Sequence, residues 1–274
     1  MSTPISWVRR HRMVTFFGLA FLVSWWVWPA YEWGLSPTPF LACGPLVAAL
    51  AVIGLTDGKA GYRALGARLI RWRVGWVWWV VAIGTPLAVL AAASVLNVLF
   101  FGASAPQLGT IAWSGVLTVA AIRFVNPLDG PIGEEPGWRG YAIPELQRRR
   151  SPLAAATIVS AMAALWHLPI VMVGSLPPLA LPVTFAIGFV YAWLFRRTGE
   201  SVLLTVVFHV LQGSVSYAVL GFAGIDADRM DWLTGGLWVV LAIAVVVLDR
   251  AAWRAVTPAP TERSPASRRV SASR

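Results

Sequence analysis
Eight apolar stretches run through this 274-residue chain, at 13–30, 36–55, 76–101, 111–131, 151–173, 178–195, 202–222 and 233–248. Each comes close to the roughly 20 residues that a helix needs to cross a hydrocarbon layer of about 30 Å. Lipid offers the backbone no water, so such stretches must satisfy their own N–H and C=O groups as helices. The expectation is an all-α, polytopic membrane helix bundle of about eight transmembrane helices. The first stretch is longer than the apolar part of a signal peptide and no small-x-small cleavage site follows it, so it reads as a retained helix. Composition agrees, because 12% of the residues are charged against about 25% in an ordinary soluble domain. That balance excludes a soluble nucleic-acid binder, a secreted disulfide scaffold and disorder over most of the length. The single cysteine, Cys43, lies in an apolar run and reads as a small buried hydrophobe.

The formal net charge is +10, and in a chain this apolar the excess suits anionic lipid headgroups better than nucleic acid. Its distribution orients the bundle. Arg9, Arg10 and Arg12 precede the first stretch, and Lys59, Arg63, Arg68, Arg71 and Arg73 separate the second from the third. Arg139 and 148–150 follow the fourth, Arg196 and Arg197 the sixth, and six arginines run from Arg250 onward. With eight crossings, 20 of the 22 basic residues fall on one side. The positive-inside rule makes that side cytoplasmic, with both termini, and a bacterial plasma membrane is the expected compartment. Membrane lipids are the expected surroundings. The segment 58–75 reads as a basic amphipathic stretch whose Leu65, Leu69, Ile70 and Trp72 can dip into the interface. Residues 1–256 are read as an integral membrane domain. Residues 257–274, rich in Pro, Ser and Arg, are read as a disordered basic cytoplasmic tail. Trp25, Trp26, Trp28, Trp76, Trp78 and Trp79 read as interface markers.

Polar residues at membrane depth are costly and therefore informative. Arg123, Asn126, Asp129, Glu134, Glu135 and Arg139 form one cluster, interleaved with Pro127, Gly130, Pro131, Gly133, Pro136 and Gly137. So many helix breakers beside charges cannot face lipid, because the freed backbone groups need partners. Pro136 suits the first position of a new helical turn, which would set Glu134 and Glu135 near a helix N-terminus. Glu135 and Arg139 stand four apart and can pair, and Arg123 can pair with Asp129. In the fifth stretch Thr157, Ser160, Ala164 and His167 share a helical face. In the seventh, Thr205, His209, Gln212 and Ser216 form nearly one line.

Taken singly, each feature has a plain structural use: a membrane histidine can simply bond a neighbouring helix, and a Glu–Arg pair can be a scaffold bridge. Together, two carboxylates, an arginine and two histidines in three apolar stretches suit water activation. A carboxylate taken out of bulk water becomes a better proton acceptor near neutral pH. A histidine can share that proton, face a developing oxyanion, or join Glu134 as a ligand of Zn²⁺ or another divalent metal. Both schemes hydrolyse an amide in or beside the membrane, on a peptide or lipidated protein. The preceding position of Glu134 and Glu135 relative to 148–150 suggests a site that opens to the cytoplasm. The competing expectation is a membrane binding module, of immunity or regulatory type, that holds a peptide without cutting it. Convergence of Glu134, His167 and His209 separates the two. A transporter is disfavoured by the lack of visible paired halves.

The residues carry a resemblance. Gly133-Glu134-Glu135-Pro136-Gly137-Trp138-Arg139 resembles the Glu-Glu-x-x-x-Arg motif of the CAAX proteases and bacteriocin-processing enzymes, the CPBP or ABI family. These are multi-pass intramembrane proteases similar to the type II CAAX prenyl endopeptidase. The run 165–169, Leu-Trp-His-Leu-Pro, is similar to that family's second motif and His209 to its third. The resemblance implies an intramembrane metalloendopeptidase acting on a membrane-associated, CAAX-type substrate. Glu134 would activate water, His167 would assist, and His209 would bind metal or stabilise the oxyanion. Glu135 and Arg139 would hold the first motif, with Gln212 in support. Two positions depart from the family's pattern: Ala163 stands where Phe is usual and Gly213 where Asn is usual.

Overall fold
The computed structural model describes residues 4–254, so the expected tail at 257–274 lies outside the described residues. The helices follow in order as α1 (Pro4–Arg10), α2 (Arg12–Trp25), α3 (Val27–Glu32), α4 (Gly44–Thr56) and α5 (Gly58–Leu69). Next come α6 (Trp76–Phe101), α7 (Trp113–Val125), α8 (Pro131–Gly137), α9 (Ile143–Gln147) and α10 (Pro152–Trp166). The last α-helices among the described residues are α11 (Leu168–Met172), α12 (Ala180–Arg197), α13 (Val202–Ser214) and α14 (Ile225–Leu248). A π-helical turn, Trp138–Ala142, joins α8 to α9. No β-strand occurs among the described residues, and the all-α bundle expected from the apolar pattern is what forms. Every one of the eight apolar stretches carries helix.

By length and apolarity, three described helical stretches can cross a bilayer: Arg12–Glu32, α6 and α14. Helices α4, α7 and α13 have 13 residues each. At 1.5 Å per residue that is about 20 Å, short of a 30 Å hydrocarbon core. The count of eight crossings therefore rests on the charge pattern and not on helix length. Helix α14 begins at Ile225, ahead of the expected 233. Asp226, Asp228, Arg229 and Asp231 thus occupy its first turns, where Arg229 bonds Asp226 at 2.9 Å and Asn97 of α6 donates to the Asp226 carbonyl at 3.0 Å.

The basic stretch at 58–75 folds partly as expected. Ile70 and Trp72 are exposed, but Leu65 is buried in the core. It points inward because α5 lies over the π turn, where the Leu65 side chain fills the space beside Gly140. Cys43, expected to be buried, is only half-buried at the start of α4.

The packing of α8 on α4 sets the site. A Cβ on Gly133 would fall 2.7 Å from the Ala42 carbonyl oxygen, and one on Gly137 would fall 2.4 Å from that of Pro45. The Gly-x-x-x-Gly spacing thus lets two backbones touch, as small residues do between membrane helices. Beneath α8 lies an aromatic stack. Phe16, Trp138 and Trp166 are fully buried, with ring centroids 5.6 Å and 5.7 Å apart and edge-to-face geometry. Trp25, read as an interface marker, instead donates its indole N–H to the Trp166 carbonyl at 2.9 Å. Trp26 and Trp76 are exposed, as interface residues would be. Helix α13 lies against α6, α7 and α8, and α12 lies between α10 and α14.

Candidate active site
The break between α7 and α8 comes from local chemistry. Asn126 accepts the Leu128 N–H through its side-chain oxygen at 3.0 Å, and Gly130 adopts φ +55°, a conformation costly for other residues. Pro131 then opens α8, where its missing N–H costs nothing. Pro136, expected to start the helix, sits inside it. Its ring removes one ladder donor, and the chain continues with the wider spacing of the Trp138–Ala142 π turn. Glu134 still falls in the first turn of α8.

Glu134, Glu135 and Arg139 are all buried, whereas Arg123, Asn126 and Asp129 of the same cluster are half-buried and Pro127 is exposed. The expected Glu135–Arg139 pair forms, with Arg139 Nη1 donating to Glu135 Oε1 at 3.1 Å. The same oxygen accepts from His209 Nδ1 at 3.0 Å, which links α8 to α13. His167, at the end of α10, donates Nδ1–H to the Ala163 carbonyl at 2.7 Å. Neither Nε2 bonds a protein group among the described residues. Each imidazole, when neutral, therefore presents Nε2 as an acceptor.

Glu134, His167 and His209 line one cavity of about 80 Å³ together with Glu135, Arg139, Tyr191 and Gln212. That is room for a few water molecules at about 30 Å³ each. No protein group among the described residues donates to the Glu134 carboxylate. The Glu135–Arg139 bridge supports one wall and leaves the cavity open. A Cβ added at Gly130 would point to within 4 Å of Glu134 Oε1, Arg123 Nη2 and His209 Nε2, so these three atoms surround one small volume. Arg123 also makes the expected bond to Asp129, at 2.9 Å.

The residues do not fit a three-ligand metal site. Among the described residues no group of three His, Cys, Asp or Glu side chains gathers to hold an ion; Glu134, His167 and His209 share the cavity without closing into a ligand set. Other expected alignments also separate. Ser216 lies beyond the end of α13 and bonds the Val219 N–H. Thr205 is buried and turns back to the Val202 carbonyl. Thr157 faces outward, and Ser160 packs against Gly188 of α12. The run from Glu134 to Gln147 is continuous helix, about 20 Å long, so the basic turn at 148–150 sits at the opposite end from the carboxylate. Nearness in sequence is not nearness in depth.

Sequence reasoning missed Tyr191. Its ring lies 4.3 Å from the Arg139 guanidinium carbon and 5.5 Å from the His209 ring, and its hydroxyl donates to Gln212 Oε1 at 2.6 Å. The available signal was Thr184 and Tyr191, seven apart and hence on one face of α12, both lining the cavity.

Residues 116–215 match the family described as "Type II CAAX prenyl endopeptidase Rce1-like". A protein of Methanococcus maripaludis named "CAAX prenyl protease 2" is 27% identical over 129 residues, covering 43% of this chain and 46% of the relative. The chain thus spans about half the length of the curated relative it matches. Both matches support a CAAX protease family for this chain, as its three motifs implied.

Proposed function
We propose that the protein is an intramembrane endopeptidase that hydrolyses a peptide bond of a membrane-associated substrate, with a prenylated CAAX-type C-terminus as the substrate class. The observation that carries this reading is the meeting of Glu134, His167 and His209, from three separate helical segments, in one cavity with room for a few waters. Glu134 takes a proton from water as the oxygen attacks the scissile carbonyl carbon. The carbonyl π electrons move to oxygen, and the tetrahedral intermediate carries the negative charge. Collapse breaks the C–N bond, and the departing nitrogen receives the proton that Glu134 took. Water and peptide thus become a carboxylic acid and an amine, which ionise to a carboxylate and an ammonium as the acid's proton passes to the amine. His167 orients the water through its Nε2 acceptor. His209, anchored on Glu135, provides a second acceptor beside Glu134. No step passes through a metal, since the three side chains do not gather as a ligand set.

The family match and the name of the relative support the substrate class. A binding module of the same fold would tolerate loss of the carboxylate, and an enzyme would not. Glu134→Gln keeps size and fold but removes the base, with an expected loss of about 10²–10⁴ in rate. The test is cleavage of a prenylated CAAX peptide in proteoliposomes, alongside thermal unfolding in detergent. Equal rates for wild type and Glu134→Gln would refute the enzyme reading. A chelator series on the same assay, with Zn²⁺ added back, reports on metal dependence.

A further inference from the structure
Hydrolysis through a tetrahedral intermediate needs a hydrogen-bond donor for the oxyanion, and the two histidines do not supply one in their neutral forms. Each commits its N–H at Nδ1, to Glu135 and to the Ala163 carbonyl. Arg139 is held by Glu135, and the Tyr191 hydroxyl by Gln212.

Arg123 and Arg139 are bonded alike, each through Nη1 to one carboxylate and each with its Nε unpartnered; what sets Arg123 apart is where its Nη2 lies. Nη2 faces the point near Gly130 that Glu134 Oε1 and His209 Nε2 also face. The guanidinium reaches this place because Gly213 has no side chain. A Cβ at that position would lie 2.8 Å from Nη2 and 3.1 Å from Cζ of Arg123. Any residue larger than glycine at 213, one turn beyond His209 on α13, would push the cation away.

We propose that Arg123 is a catalytic residue of the hydrolysis described above, donating from Nη2 to the oxyanion, and that Gly213 is the notch that admits it. Asp129 fixes the guanidinium while leaving its Nη2 face free. The inference rests on the endopeptidase reading.

The test compares wild type, Glu134→Gln, Arg123→Gln, Arg123→Ala, Gln212→Leu and the double variant Arg123→Ala/Gly213→Asn in the proteoliposome cleavage assay, with thermal unfolding of each. Removing one oxyanion donor typically costs about 10²–10³ in kcat. Arg123→Gln is expected to lose that much in kcat with KM little changed. The double variant is expected to recover at least tenfold over Arg123→Ala, because an amide side chain at 213 then has the vacated space and brings a neutral donor. Gln212→Leu, which removes the cavity's side-chain amide and with it the acceptor of the Tyr191 hydroxyl, is expected to lose less in kcat than Arg123→Gln. Arg123→Gln cleaving at the wild-type rate would overturn the assignment and leave the endopeptidase reading intact. Loss in Gln212→Leu alone would overturn it in favour of that amide. Should Arg123→Gln unfold early, the double variant decides: folded yet no faster than Arg123→Ala, it overturns the proposal. Wild type cleaving no faster than Glu134→Gln would overturn both readings together.

Discussion

Replacing Glu135 by Gln tests whether one buried oxygen organises both the scaffold and the site. Glu135 is fully buried, and its Oε1 accepts from both Arg139 and His209. Its Oε2 has no partner. Glutamine can therefore keep a carbonyl oxygen where both donors converge and set its amide nitrogen in the unpartnered place. The contacts survive and the charge does not. A hydrogen bond to a charged group is worth about 1.5–3 kcal/mol and a neutral one about 0.5–1.5, so two weakened bonds cost about 2–3 kcal/mol. The amide N–H left without an acceptor adds about 1 kcal/mol or more. The total falls within the roughly 3–5 kcal/mol of a broken buried pair. At about 2–4 °C per kcal/mol, thermal unfolding in detergent should shift down by about 10 °C. Activity should fall as well, since His209 loses its anionic partner. A second variant separates the two effects. Glu135→Leu/Arg139→Leu removes both ends of the pair, which is often close to neutral in stability, so it should unfold near wild type and remain inactive because His209 is unanchored. Glu135→Gln unfolding within a degree of wild type would refute the pair's structural weight. Full activity in the double leucine variant would refute the anchoring of His209.

Gly137→Ala should destabilise by more than the roughly 1–3 kcal/mol of ordinary overpacking, because its Cβ would meet backbone of Pro45 at 2.4 Å. Gly84→Ala on α6, with nothing within 4 Å of the new Cβ, is the control and should unfold no earlier than wild type; matching unfolding temperatures for the two would sink the close-packing argument. Both termini are expected to be cytoplasmic, so a reporter fused after Arg274 should be active only inside the cell, and activity outside would overturn the orientation. Asp249 follows α14, and the Arg197 guanidinium and Trp193 indole N–H hold its carboxyl below the usual range. Its stabilisation is then present above the unfolded pKa of about 3.9 and is lost as pH falls through the lower folded value. Asp249→Asn should cost under about 1 kcal/mol at pH 7 for this partly exposed pair; a difference from wild type that grows on acidification would contradict that sign.

How far the sequence alone determined this protein follows from which forces are local. The apolar stretches made the all-α bundle inevitable, because a backbone in lipid can satisfy itself only along its own helix. The crowd of Pro and Gly beside Glu134 and Glu135 required burial for the same reason, and the pairing of Glu135 with Arg139 follows from helical spacing alone. The three motifs were legible as residue types in order. Only the tertiary structure decided what those residues touch. Helix α8 starts at Pro131 and not at Pro136 because Gly130 takes φ +55° where the chain turns off α7. Leu65 and Trp25 turned inward because other helices offered them partners, which no periodicity encodes. That Glu135 Oε1 serves His209, 74 positions away, depends on α13 lying against α8. The same packing brings Arg123 into the space that Gly213 leaves empty. A glycine in a sequence is a missing side chain; which neighbour fills the place is settled only when the helices meet.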